Sequence, residues 1–153
     1  MSARFADSNI LLYAISRAPE ERAKAERANA LLAERDLVLS VQVLQEFYVQ
    51  ATRESRPDPI SHEDALELVG SFRRFPVLPL TADLVDAAMA TRARFQISYW
   101  DAAILEAARS LGCDTVLSED LADGQDYDGV TVQDPFGAEP DEASVLPSTA
   151  PEG

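Results

Sequence analysis

Apolar residues fall along the chain in two patterns, short continuous runs and longer stretches with apolar positions every third or fourth residue, and the two alternate. The clearest of the longer stretches runs from Ser98 to Gly112. Ala103, Ile104, Ala107, Ala108 and Leu111 form one helical stripe there, and Gly112 supplies the stop. Ala3 to Ala6 predicts a short strand, and Asp7 to Asn9 a turn or cap leading into an apolar helix over Ile10 to Ile15. Pro19 opens a second helix, with Glu20, Glu21 and Arg22 starting its polar face and Ala23, Ala30, Leu31 and Ala33 its apolar one. Leu37 to Leu39 is short and apolar enough for a buried strand. Ser40 then caps a helix carrying Val43, Leu44, Phe47, Tyr48 and Val49.

The segment Arg53 to Pro59 contains two prolines and several charges and predicts a loop. Ser61 and Asp64 have the spacing of an N-cap with an acidic third residue, opening a helix that continues to Phe75, where Pro76 ends it. Val77 to Leu80 is extended and, with Pro79, suits a sheet edge. Thr81 caps another helix through Leu84, Ala88 and Ala93, and the Ser98 helix follows. Thr115 to Ser118 and Val130 to Val132 are the last strands, joined by an acidic, glycine-containing loop. Alternating strands and helices favour an α/β fold, a parallel sheet covered by helices.

With 153 residues and 46% hydrophobic content the chain has the size of one domain with a real core. Residues 1–136 form that domain. From Gly137 to Gly153 the composition shifts to Pro, Ala, Ser, Thr and acids, and this acidic tail is expected to be disordered. No run is long enough for a membrane span and no signal peptide pattern opens the chain, so the expected location is the cytoplasm. The lone cysteine, Cys113, cannot form an internal disulfide and reads as a buried structural thiol.

Charge constrains partners more sharply. Thirteen Lys+Arg stand against 27 Asp+Glu, a formal net charge of -14, which repels a polyanion at long range. Every basic residue lies at or before Arg109, so the last third of the chain is uniformly acidic, suited to a basic protein partner or simply to solubility. A nucleic acid would need a local basic patch, for which Arg73, Arg74, Arg92 and Arg94 are candidates. The same arginines also complement helix dipoles at the ends of their helices.

Four acids share an address. Asp7, Glu46, Asp101 and Asp120 each lie just after an expected strand or in the first turns of an expected helix, positions that converge on one edge of an open parallel sheet. Singly, each has an ordinary role: Asp7 as a helix cap, Asp101 as the acidic partner of Ser98 in a capping box, Glu46 on a solvent face, Asp120 in a turn. Together they would form a pocket of mutually repelling carboxylates, whose pKa values rise unless a cation neutralises them. An all-oxygen set favours Mg²⁺ or Mn²⁺, ions that activate water for attack on a phosphodiester. His62 is the only histidine, which excludes a two-histidine nuclease and makes a zinc site of His and Cys ligands implausible. The chain also has no phosphate-binding P-loop and no G-x-S-x-G elbow.

The segments Asp7 to Tyr13, Gln45 to Tyr48, Tyr99 to Leu105 and Leu117 to Leu121 with Gly124 and Gln125 resemble, in order and spacing, the four acidic motifs of the PIN-domain family. The chain is similar in particular to VapC-type toxins of bacterial toxin-antitoxin pairs, over about Arg4 to Phe136. The resemblance implies a three-layer α/β/α fold with a central, mainly parallel sheet. It also implies Mg²⁺- or Mn²⁺-dependent endoribonuclease activity on RNA, a homodimer, and inhibition by a cognate antitoxin, with DNA met only through that antitoxin. Carried over by motif, Asp7 and Asp101 are the principal metal ligands, and Glu46 and Asp120 complete the catalytic quartet directly or through water. Asn9 and Ser118 match positions that steady the first and fourth acids, although both also suit plain turn or cap roles.

Two other acid-bearing classes fit less well. Phosphoacceptor receiver domains need a lysine near the acids, and Lys24, the only lysine, falls in a surface helix. Haloacid-dehalogenase phosphatases need a second Asp where this chain has Asn9. The remaining alternative is a non-catalytic PIN-like scaffold that grips a basic partner through its acidic face.

Overall fold

A computed structural model describes residues 3–137 of the chain. Beyond Gly137, the acidic tail lies outside the described residues. The elements in chain order are β1 (Arg4–Ala6), α1 (Ser8–Ala14), a 3-10 turn (Pro19–Glu21), α2 (Arg22–Ala33), β2 (Leu37–Ser40) and α3 (Val41–Thr52). Next come α4 (His62–Phe72), β3 (Val77–Leu78), α5 (Ala82–Phe95) and α6 (Tyr99–Ser110), then β4 (Thr115–Leu117), β5 (Asp126–Tyr127) and β6 (Val130–Gln133).

The strands form one six-stranded sheet in the order β3-β2-β1-β4-β6-β5. All neighbours are parallel except β5, which runs antiparallel to β6 at the edge. Every residue of β2 is buried, as expected for a strand covered on both faces, whereas β6 alternates buried and exposed positions. On the helical layers α1 packs on α2 and α3, α3 on α4, and α5 on α6, with α6 resting against β4 and β6. The fold is thus the expected three-layer α/β/α arrangement. Its core holds Phe5, Ile10, Leu31, Leu39, Phe47, Leu105 and Val116, all fully buried, and the Phe47 and Phe72 rings meet edge to face at 5.0 Å to bind α3 to α4.

The strand order sets the position of the site. From β1 the chain builds outward to β2 and β3, then returns to the other side of β1 as β4, so the order reverses between β1 and β4. In an open α/β sheet the crevice beyond the carboxyl ends of such a strand pair is the natural binding position. Ala6 is in register with Leu117, and the Asp7 amide donates to the Leu117 carbonyl at 3.0 Å. The residues that follow β1 and β4 therefore emerge side by side.

Several elements differ from the sequence reading. Pro19 opens the 3-10 turn, and α2 proper begins at Arg22. The buried face of α2 is Ala28, Leu31 and Leu32, whereas Ala23, Ala30 and Ala33 are exposed, because alanine alone carries too little apolar area to fix which way a helix turns. Helix α4 stops at Phe72, and Arg73 to Phe75 form tight turns before Pro76. The acidic loop contains the β5-β6 hairpin, closed by Asp128 and Gly129, both at positive φ (57° and 93°). Asp-Gly is the pair a two-residue hairpin turn of that hand requires. Cys113 is buried, as expected. Among the described residues, no helix is long and apolar enough to cross a membrane.

Candidate metal centre at the sheet edge

Asp7 is the N-cap of α1, and its carboxylate accepts from the Ser8 amide at 2.7 Å and from Ser118 Oγ at 2.8 Å. It is only 5% exposed. Burial raises its pKa from 3.8 to about 6; the hydrogen bonds from Ser118 and Ser8 oppose the rise, and the charges of Glu46 and Asp120 add to it. An acid so placed needs more than capping to account for it, since a helix cap is normally solvated.

Ser118 and Asn9 form the lattice around Asp7. Ser118 Oγ, fully buried, also accepts from the Asp120 amide at 3.0 Å and from Asn9 Nδ2 at 3.3 Å. Asn9 Nδ2 donates to the Asp120 carboxylate at 3.2 Å, and Asn9 Oδ1 accepts from the Glu119 amide at 3.2 Å. Asn9 on α1 thus holds the whole turn that follows β4. Asp120 itself is exposed at the mouth.

Glu46 sits in the second turn of α3 and is not a free surface side chain. It accepts from Gln42 Nε2 at 3.0 Å, one turn back, and from Ser8 Oγ at 3.1 Å. Gln42 is itself buried and also reaches the Trp100 carbonyl at 3.3 Å, tying α3 to the start of α6. There Asp101 occupies the third helical position, its amide donating to the Ser98 cap at 3.0 Å. Its pKa is raised, first by burial and further by Asp120, with the Ser98 hydrogen bond opposing. Asp7, Glu46, Asp101 and Asp120 all line one cavity of about 480 Å³, together with Glu21, Glu119, Tyr13, Trp100 and a single cationic side chain, Arg56.

Several of these neighbours carry no strong sequence signal. Ser8 is buried as a donor to Glu46, and Gln42 could be inferred only from its spacing to Glu46. Glu119 accepts from the Tyr13 hydroxyl at 2.6 Å and pairs with Lys24, whose ammonium lies over the Tyr13 ring at 4.7 Å. The Tyr13 ring in turn meets Phe136 edge to face at 4.9 Å, closing the far end of the domain onto the cavity wall. Arg73, Arg74, Arg92 and Arg94 do not line the cavity. Arg74 bonds back to Ser71 and Arg94 pairs with Asp128, in keeping with helix-end roles.

As the side chains stand, no three acids, histidines or cysteines among the described residues are gathered into a ready cation cage. Two of the acids are turned toward hydrogen-bond donors of the protein instead: Asp7 to Ser118 and Ser8, Glu46 to Gln42 and Ser8. The donor chemistry nevertheless fits a hard divalent ion. The four acids would offer only carboxylate oxygens, and Asp7 is buried while the charges of Glu46 and Asp120 repel its own.

The model of the PIN domain family matches residues 4–122, from β1 through the turn that carries Asp120. No curated protein matches the sequence. Among solved structures of similar fold is Mycobacterium tuberculosis VapC20, described as a sarcin-ricin loop cleaving toxin, at 20% identity and a TM-score of 0.61, covering 77% of this chain and 90% of that one. A toxin-antitoxin complex from Klebsiella pneumoniae matches at 20% identity and a TM-score of 0.63, covering 88% and 98%. The DNA-bound VapBC of Salmonella typhimurium matches at 25% identity and a TM-score of 0.60, covering 88% and 99%. With the strand order, the acids at the β1 and β4 edge, and a family match over more than three quarters of its length, the chain belongs to the PIN domain family.

Proposed function

We propose that the chain is a divalent-metal-dependent endoribonuclease, the toxin of a toxin-antitoxin pair. The observation that carries this reading is the buried Asp7 at the strand-order reversal, with Glu46, Asp101 and Asp120 delivered to the same cavity from three other elements. A structural cap has no use for that company.

Asp7 and Asp101 would hold Mg²⁺ or Mn²⁺, with Glu46 and Asp120 joining directly or through water. When bound, such an ion lowers the pKa of a water and offsets charge developing on the leaving oxygen of a phosphodiester. Ser118 and Ser8 fix the Asp7 carboxylate, Gln42 and Ser8 fix that of Glu46, and Asn9 fixes Asp120. A bound ion would compete with these donors, so Asp7 and Glu46 would exchange some of these hydrogen bonds for the ion. Glu46 or Asp120 orients the attacking water and accepts its proton.

A small cognate antitoxin, homodimerisation, and contact with DNA only through the antitoxin complete the proposal. The antitoxin and the DNA contact are supported by the family and by the fold shared with toxin-antitoxin complexes, some of which are described as bound to DNA. The test is cleavage of a mixed RNA pool by the partner-free protein, with Mg²⁺ or Mn²⁺ and with chelator, beside Asp101→Asn. Cutting that needs both the ion and Asp101 supports the reading. A second reading is favoured by the net charge of -14 and the side chains' present hydrogen bonding, namely a non-catalytic scaffold that binds a basic partner. Partner binding untouched by chelator, with no divalent-ion effect on thermal stability, would select it.

A further inference from the structure

Residues 138–153 lie outside the described residues, but the point from which they set out is fixed. Phe136 packs edge to face on Tyr13 at 4.9 Å, the Lys24 ammonium lies 5.9 Å from the Phe136 ring centroid, and Arg27 Nε donates to the Pro135 carbonyl at 3.4 Å. The acidic tail therefore leaves from the surface of α1 and α2. It cannot build a core of its own, because Val145 and Leu146 are its only large apolar side chains. It carries Glu139, Asp141, Glu142 and Glu152 and no Lys or Arg. Such a segment orders only against another surface.

A surface of the right charge lies within its reach. Arg17, Arg22 and Arg27 are exposed, and among the described residues no ion pair uses any of them. Beside Arg17 and Arg22 runs a groove of about 570 Å³ whose walls include Pro19, Ala25 and Ala30, with Glu26 as its one acid. Ala30 is three residues on from Arg27 along α2, so the groove begins on the helix ridge next to the tail's point of departure. Eight residues separate Gly137 from Val145, at most about 28 Å of extended chain, whereas a helix with its side chains is about 10 to 12 Å across. The order of side chains fits as well. The acids at 139, 141 and 142 come first, where Arg27 and Arg22 stand, and the apolar pair follows at the distance of the groove.

We infer that the tail folds back across α2, with Glu139, Asp141 and Glu142 against Arg27 and Arg22 and with Val145 and Leu146 seated in the groove. The inference stands independently of the nuclease reading. Exposed ion pairs of this kind are individually weak and screened by salt, so the contact is a reversible strap. Its position has a consequence for the site. The groove shares Arg17 with a second one bordered by Glu21 and Arg56, both of which line the cavity of the four acids, so the docked tail occupies one approach to that cavity. A protein partner that covers α2 has to displace it.

The experiment compares the full chain with its Arg17→Gln, Arg22→Gln double variant, whose altered side chains are exposed, with folding checked by circular dichroism. Both are treated with a protease that cuts after glutamate, and cutting after Glu142 is timed by mass spectrometry at about 50 mM and about 500 mM salt. At low salt the double variant should be cut about fivefold faster, because cutting follows the undocked fraction, and high salt should remove the difference. A nitroxide attached at Ser148→Cys, with the buried Cys113 left unlabelled, should broaden the Ala25 and Asn29 amide signals in the wild-type background and much less in the double variant. Equal cutting and equal broadening in the two proteins would overturn the inference and leave the groove to a different protein. Broadening that appears only when spin-labelled chain is mixed with isotope-enriched chain would overturn it too, assigning the groove to the tail of a second copy.

Discussion

Replacing Asp7 with asparagine should make the ion-free protein more stable at neutral pH while ending any ion-dependent chemistry. In the folded protein the Asp7 carboxyl titrates at about 6 against an ordinary 3.8, because burial disfavours its charge. The folded state therefore holds the proton more tightly than the unfolded one. Stability is full below about pH 4, falls as pH rises to about 6, and stays reduced above that. Between 3.8 and about 6 the loss amounts to about 3 kcal/mol. Asparagine removes this cost but disturbs one contact. Ser118 Oγ donates to Asp7 at 2.8 Å while already accepting from Asn9 and the Asp120 amide, and an amide nitrogen turned toward it would leave its hydroxyl without an acceptor. That loss is worth about 1 to 1.5 kcal/mol, so the net gain is about 1.5 to 2 kcal/mol, a rise in Tm of about 3 to 8 °C for a domain of this size. Urea unfolding in chelator at pH 7.5 and pH 4.5 measures it. The variant should lead at pH 7.5 and lose its lead at pH 4.5, and added Mg²⁺ should stabilise wild type but not the variant. A variant less stable than wild type at pH 7.5 in chelator would refute the claim that a buried, uncompensated charge sits at Asp7.

Other substitutions probe the frame around that acid. Ser118→Ala removes the donor to Asp7 and the acceptor for Asn9 and Asp120 at a fully buried position, and should cost about 2 kcal/mol by chemical denaturation. Asp101→Asn should abolish RNA cleavage yet melt within a few degrees of wild type, because the Ser98 cap bonds its backbone amide. Glu106 is buried and bridges Thr91 at 2.7 Å to Arg109 at 3.1 Å, so Glu106→Ala should lower stability by about 1 to 3 kcal/mol while leaving activity in place, as it ties α5 to α6 and does not line the cavity. Leu105→Ala should cost about 3 kcal/mol, the penalty for a cavity at a fully buried leucine.

The sequence by itself determined the alternation of strands and helices and the helix caps at Ser40, Ser61, Thr81 and Ser98, because caps and periodicity are local and written in consecutive residues. Each of those caps bonds the amide three residues on. What sequence could not determine was anything that depends on which strands lie side by side. The alanines of α2 left its buried face undecided, and only packing turned Ala28, Leu31 and Leu32 inward. The Asp128-Gly129 hairpin was hidden in a loop read as acidic and glycine-containing, since its partner strand β6 decides whether two residues become a strand. Read singly, Asp7 looks like a cap and Glu46 like a solvated side chain. Only the adjacency of β1 and β4 buries the first against Ser118, and only the packing of α1 on α3 brings Ser8 to the second. The same holds for Arg56, one arginine among many in the sequence, whose Nε is buried without a partner only in the folded chain. Local chemistry names which side chains are able to act, and burial, which is a property of the whole fold, decides which of them carry a charge with nothing of the protein's own to balance it.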